Sequence, residues 1–117
     1  MRHHRANRKF GRERWQRIAL LRSLASSLIL HGKIQTNAIK AKELRPFVEK
    51  LVSASKADSV ASRRLVAARL RSPEAVKKLH TDVAKRYASR AGGYTRIVRL
   101  GKIGNRVAEM ARIEFLA

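Results

Sequence analysis

The chain has 117 residues, a formal net charge of +20 at pH 7 and a hydrophobic fraction of 44%. That apolar fraction is enough for a folded core and argues against a disordered basic tail, while the length favours one domain. Cysteine is absent, which excludes disulfides and thiolate metal sites, and no apolar run reaches the roughly 20 residues of a membrane helix.

The charge excess is the most informative property of the composition. The chain carries 28 Lys and Arg against 8 Asp and Glu. So many like charges repel one another in a compact fold, and a dense polyanion is the natural partner that compensates them. The composition therefore predicts a protein that binds nucleic acid, with no membrane and no small-molecule substrate as partner.

Residues 1–14 form a basic segment with Phe10 as its single sizeable apolar side chain. Such a segment cannot offset its ordering entropy by burial, so we expect an arm that becomes ordered on its partner. We predict RNA contacts for Arg2, His3, Arg5, Arg8, Lys9, Arg12 and Arg14. The remaining residues, 15–117, are predicted to form the folded domain.

The domain begins with a helical pattern. Apolar residues recur every three or four positions from Trp15 to Leu28, and His31-Gly32 is typical of a helix end. Trp15 is predicted to anchor the core, with a stacking platform for a base as the alternative. A short strand is predicted around Ile34.

A second helix is predicted after a cap at Thr36 or Asn37, and Pro46 falls inside it. Because proline is tolerated only in the first helical turn, we expect a kink, or a break with a restart, at Pro46. A third helix, Val60 to Leu70, follows a cap at Ser59.

A fourth helix is predicted from Ser72-Pro73-Glu74, which offers a capping hydroxyl, a proline at the first position and an acid near the positive dipole end. Thr81-Asp82 is predicted to open a further short helical turn through Tyr87.

The end of the chain has the composition of β-structure. Gly92-Gly93 ends the helical part, and strands are predicted from Tyr94 to Leu100 and from Val107 to Leu116. The glycines between them favour a hairpin with a basic tip at Lys102 and Arg106. With the strand near Ile34 this gives an α+β fold: one domain of several helices packed on one face of a three-stranded sheet, with a basic N-terminal arm.

Basic clusters are the candidate site, because the arginine fork matches phosphate oxygens. A solvated charged face is the alternative for the helical clusters, and Tyr94 is either a stacking residue in a Gly-Gly-Tyr contact loop or a core residue. Beyond the arm, the candidate RNA-binding residues are Arg17, Lys40, Lys42, Arg45, Arg63, Arg64, Arg90, Gly92, Gly93, Tyr94, Arg96, Arg99 and Lys102.

Catalysis has little support in the sequence. The four histidines lack metal-ligand spacing, and no glycine-rich phosphate loop is present. We therefore predict no enzyme activity, no metal and no cofactor. A DNA-compacting architectural protein is the alternative to an RNA-binding function.

Several strings occur together in an order that resembles the bacterial large-subunit ribosomal proteins of the L-seventeen family. They are Met1-Arg2-His3, the Lys40–Pro46 stretch, Ser62–Leu65, Arg90–Arg96 and Met110–Glu114. The resemblance implies an α+β fold with a small mixed sheet. It also implies a non-catalytic cytoplasmic protein that binds large-subunit ribosomal RNA beside other ribosomal proteins near the exit of the polypeptide tunnel.

Overall fold

A computed structural model describes residues 13–105 and 108–117. Within these ranges the chain is helical up to residue 86 apart from one short strand, and two further strands follow. A single π-helical turn, Leu79–Val83, joins the last two helices. The elements are α1 (Arg14–His31), β1 (Lys33–Asn37), α2 (Ala38–Ala57), α3 (Val60–Leu70), α4 (Pro73–Lys78), α5 (Ala84–Arg86), β2 (Thr95–Gly101) and β3 (Met110–Phe115).

The predicted helix caps are confirmed. Asn37 Oδ1 accepts a hydrogen bond from the Lys40 amide at 2.8 Å, which begins α2. Ser59 and Ser72 begin α3 and α4 in the same way, through their hydroxyl oxygens. Gly32 ends α1 with φ of 83°, a conformation that favours glycine. These ends are set by local chemistry and could be predicted for that reason.

Of the two outcomes expected at Pro46, a kink or a break with a restart, the break is wrong. α2 runs without interruption from Ala38 to Ala57 and has Pro46 in its interior. The ring removes one backbone donor, but Leu44 and Val48 on either side of it are fully buried. We attribute the continuity to this packing, because burial of the apolar face of α2 offsets the lost hydrogen bond.

The expected fresh helix start at Thr81-Asp82 is also wrong. The chain continues from α4 through the π-helical turn into α5, and Thr81 lies inside that turn. Its hydroxyl donates to the Lys77 carbonyl at 2.8 Å, so it bonds backward along the helix and does not cap a new one.

The three strands form one sheet in the order β1-β3-β2, and both pairings are antiparallel. The small sheet implied by the family resemblance is therefore present but is not mixed. The strands lie where they were predicted, although β3 begins at Met110 and not at Val107. Residues 106–107, which include the predicted hairpin residue Arg106, lie outside the described ranges.

The hydrophobic core lies between the helices and one face of the sheet. Leu28 of α1, Val48 of α2 and Ile113 of β3 are fully buried there. Each such side chain contributes about 1.5–3 kcal/mol by leaving water. This confirms the predicted α+β fold with helices on one face of the sheet. No helix in the described ranges is long and apolar enough to cross a membrane.

The prediction that Trp15 anchors the core is wrong. Trp15 lies in the first turn of α1 and is 69% exposed. The apolar face of α1 enters the core only further along, at Ala25, Leu28 and Ile29. The exposure of its ring leaves the alternative of a stacking platform.

Candidate nucleic-acid interface

Most polar side chains of the sheet lie on the face that does not pack on the helices. Strand register places Lys33 and Arg96 opposite Glu114, on either side of the central strand, and Gln35 and Arg112 opposite each other. Directly paired residues share a face, so these side chains lie together on one surface. We call the set Lys33, Gln35, Arg96, Arg112 and Glu114 the open sheet face.

Glu114 is the one acid of the open sheet face, and it serves two arginines. Its carboxylate lies 3.3 Å from Arg96 Nε and 3.7 Å from Arg112 Nε. The second distance is too long for a hydrogen bond, and Arg112 Nε is buried without one. One carboxylate cannot neutralise three cations, so the face keeps positive charge and an arginine donor that lacks an acceptor.

Two further cations lie at the end of β2, outside the open sheet face. Arg99 is 62% exposed in its side chain and lies 3.7 Å from Glu109. Lys102 is exposed in the connection that follows β2. An exposed ion pair at this distance is weak, so the Arg99 guanidinium can leave the Glu109 carboxylate and bind another anion at little cost in free energy.

The Gly-Gly-Tyr segment has a structural role at its tyrosine. Tyr94 is 1% exposed, and its hydroxyl lies 3.2 Å from Ser53 Oγ and 3.0 Å from Lys56 Nζ. Its ring packs on Tyr87 with 5.2 Å between centroids. Of the two interpretations of Tyr94, core residue or stacking residue, the burial favours the core, because a base cannot reach this ring.

Hydrogen bonds from Ser53 and Lys56 lower the pKa of Tyr94 below its ordinary value, against the opposing effect of burial. Both bonds favour the phenolate over the phenol. The tyrosine is therefore held at two points by α2, and it holds the start of β2 in turn.

The glycines before Tyr94 allow the chain to turn into β2. Gly92 has φ of 128° and Gly93 φ of 63°, which L side chains rarely adopt. Arg90 stays exposed beside them, with its guanidinium 5.7 Å from the Tyr87 ring centroid. Lys56 also donates to the Arg90 carbonyl. The segment thus presents Arg90 on a fixed backbone.

The basic residues of α2 differ in availability. Lys42 is exposed and Lys40 is half-buried near the helix start. Arg45 Nε lies 3.6 Å from Glu49, whose carboxylate also accepts from the Thr95 hydroxyl at 2.8 Å. Arg45 is therefore part of the contact between α2 and β2, and Lys42 is the clearest candidate for a phosphate in this cluster.

The remaining predicted residues are scattered. Arg63 donates to Asp58 at 2.7 Å, and Arg64 is exposed on α3. Arg14 is exposed and Arg17 half-buried at the start of α1. The arm residues Arg2, His3, Arg5, Arg8, Lys9 and Arg12 lie outside the described ranges.

Sequence reasoning missed two groups. Lys33 and Arg112 join the open sheet face only through strand register, although the alternation around Ile113 was a usable signal for Arg112. Four cations around a groove between α3 and α4 were missed because they come from separate helices and no local pattern connects them. These are Lys56, Arg71, Lys77 and Lys85, which line the groove together with the predicted Arg63.

The described part of the chain holds no group of three or more His, Cys, Asp or Glu side chains suited to a metal. A small α+β domain with exposed cations on a sheet face that no described element covers defines a basic protein of the nucleic-acid-binding class.

Residues 20–116 match the family model described as Ribosomal protein L17. The chain is also 48% identical over 116 residues to the protein named Large ribosomal subunit protein bL17 of Gemmatimonas aurantiaca, covering 99% of this chain and 98% of that one. This chain belongs to the ribosomal protein L17 family. It is accordingly a structural, non-enzymatic component of the large ribosomal subunit in the cytoplasm.

Proposed function

We propose that this protein binds large-subunit ribosomal RNA through phosphate contacts made by the open sheet face, the neighbouring cations and the arm. Its place in the subunit is near the exit of the polypeptide tunnel, in contact with other ribosomal proteins. The observation that carries the proposal is the surplus of cations around Glu114, where three basic side chains share one acid.

The geometry of the open sheet face suits a phosphate backbone. Strands lie about 4.8 Å apart, so side chains on neighbouring strands present their donors side by side on one surface. The Arg112 side chain is 40% exposed, so the outer part of its guanidinium is available to a phosphate oxygen. Lys33 and Arg96 then extend the contact to both edges of the sheet.

The arm adds a second, independent contact in this proposal. Residues 2–12 contain Arg2, Arg5, Arg8, Lys9 and Arg12. Deleting them removes five cations and should make the log–log salt dependence of RNA binding shallower by about 3.5, if each meets a single-stranded phosphate. Thermal unfolding of the domain should be almost unchanged, and a large fall in melting temperature would show that the arm belongs to the core.

Competition between nucleic acids tests the proposal as a whole. The full chain is bound to labelled large-subunit ribosomal RNA and challenged with unlabelled RNA or with duplex DNA at the same salt concentration. The RNA should compete better. If duplex DNA competes at least as well, the preference for RNA that the proposal requires is absent and the proposal fails. Crosslinking on assembled large subunits should then place the chain beside the tunnel exit, and crosslinks only to distant proteins would contradict that position.

A further inference from the structure

A groove of about 970 Å³ lies between the end of α2, α3 and the α4–α5 region. Its volume falls in the range of small-ligand sites, about 300–1,000 Å³. Aliphatic side chains line part of it, among them Ala67, Pro73, Val76 and Ala84. None of its lining residues belongs to the open sheet face.

The rim of the groove is strongly basic. Five cations line it against one acid, Asp58, which already pairs with Arg63. Lys56 is also occupied, because it donates to Tyr94. The side chains of Arg71, Lys77 and Lys85 form no hydrogen bond or ion pair with any described residue. Three cations therefore face one groove without a described counter-ion.

His80 supplies the second observation. It lies in the π-helical turn and lines the groove, and both of its ring nitrogens are buried without a hydrogen-bond partner. A buried polar group without a partner costs about 1–3 kcal/mol. A π-helical turn is itself uncommon and is frequently found at functional sites. A molecule in the groove that could bond to the imidazole would relieve this cost.

Arg71 lies at the groove in a backbone conformation that is unfavourable for arginine. It follows α3 with φ of 55°, a left-handed conformation that glycine or asparagine adopts more readily. The position ends a helix and would be served better by glycine if its only task were to turn the chain. Its side chain lines the groove.

We propose that this groove receives one unpaired nucleotide of RNA, with the phosphate on Arg71, Lys77 and Lys85 and the base against the aliphatic wall near His80. The inference rests on the proposed function and extends it to a site for a single-stranded segment. Unpaired bases are the usual target of specific RNA recognition, because their edges and faces are free. A duplex cannot place a base in such a groove.

An acidic protein segment is the competing occupant, and the groove favours the nucleotide. The positive charge on the rim would suit a nucleotide or an acidic segment. The buried ring nitrogens of His80, however, need a partner inside the groove that has both hydrogen-bond donors and acceptors. A base edge offers both. A carboxylate side chain offers acceptors alone and would leave the aliphatic wall beside it uncovered.

Two adjacent alanines provide a matched test. Ala67 lines the groove and Ala68 does not, and both are exposed on α3. Ala67→Glu and Ala68→Glu change net charge and helix propensity equally, so they differ in whether the new carboxylate enters the groove. The full-length variants are titrated with a single-stranded oligouridine and with an RNA duplex of the same length.

Ala67→Glu should weaken oligouridine binding about tenfold more than Ala68→Glu does, a difference of about 1.4 kcal/mol. The two variants should bind the duplex equally. Equal oligouridine affinities would overturn the groove assignment and leave the proposed function standing, whereas failure of the wild-type chain to bind either RNA would overturn the proposed function. A polyglutamate peptide is titrated in the same way. If Ala67→Glu weakens binding of the peptide more than Ala68→Glu does, while the two variants bind oligouridine equally, the groove receives an acidic protein segment and the nucleotide assignment is overturned.

Arg71→Gly separates binding from stability. Glycine adopts the observed φ freely, so melting temperature should stay constant or rise. Oligouridine binding should nevertheless weaken, with a log–log salt dependence shallower by about 0.7 for one lost phosphate contact. A variant that melts like the wild type and keeps its salt dependence would show that Arg71 has no phosphate contact.

Discussion

Replacing Glu114 with glutamine should lower the stability of the protein. It should also make the RNA affinity depend more steeply on salt concentration. Glu114 holds Arg96 Nε at 3.3 Å and Arg112 Nε at 3.7 Å, and its side chain is 18% exposed. Glutamine keeps the shape but removes the charge. The open sheet face would then carry three cations and no acid.

The magnitude follows from the two ion pairs. The arginines are 58% and 40% exposed, so each pair is worth about 0.2–1 kcal/mol, and their joint loss costs about 0.5–2 kcal/mol. For a domain of this size that lowers the melting temperature by about 2–8 °C. Two guanidinium groups released to phosphate steepen the log–log salt slope by up to about 1.4 for a single-stranded contact.

The assay is RNA affinity at several salt concentrations, beside thermal unfolding. Asp82→Asn is the matched control, because Asp82 pairs with Arg86 at 3.1 Å on the helical side and the charge change is the same. If Glu114→Gln and Asp82→Asn shift the slope equally, the gain comes from net charge alone. The open sheet face would then not be the phosphate contact.

Three further outcomes are expected. The fluorescence of Trp15, the one tryptophan of the chain, should be quenched by RNA, since its exposed ring can stack on a base, and no change would remove it from the interface. Tyr94→Phe should cost about 1–2 kcal/mol by removing the hydroxyl that meets Ser53 and Lys56. Because the pKa of Tyr94 is lowered in the fold, its contribution to the free energy of unfolding should rise with pH through that pKa and be complete above about 10; a wild-type advantage over Tyr94→Phe that falls over this window would contradict the shift. Pro46→Ala should raise the free energy of unfolding by about 1–3 kcal/mol, because the exposed proline lacks the backbone N–H that alanine would supply to α2. Denaturant unfolding measures this free energy, and a lower value for the variant would contradict the prediction.

Features encoded within a few residues could be predicted from the sequence. The caps at Asn37, Ser59 and Ser72 and the turn at Gly32 act through their own backbone neighbours, so the helix starts were found correctly. The sheet followed from β-branched residues bounded by glycine. The family could be recognised because its strings are spread over nearly the whole chain.

Features that depend on tertiary packing could not be predicted in the same way. Pro46 is tolerated because α2 is held by buried residues on its other face, and Trp15 is exposed because the core begins further along α1. The open sheet face depends on which residues of β1 and β2 pair with Glu114. The groove brings Arg71 and Lys85 together from separate helices, which no local spacing indicates.

The salt dependence of binding between the wild-type chain and large-subunit ribosomal RNA tests the central claim most directly. If the positive charge is balanced by about ten phosphates of single-stranded type, the plot of log affinity against log salt concentration should have a slope near −7, and duplex contacts should make it steeper. A slope near zero would contradict the claim that phosphate contacts account for the charge of this protein.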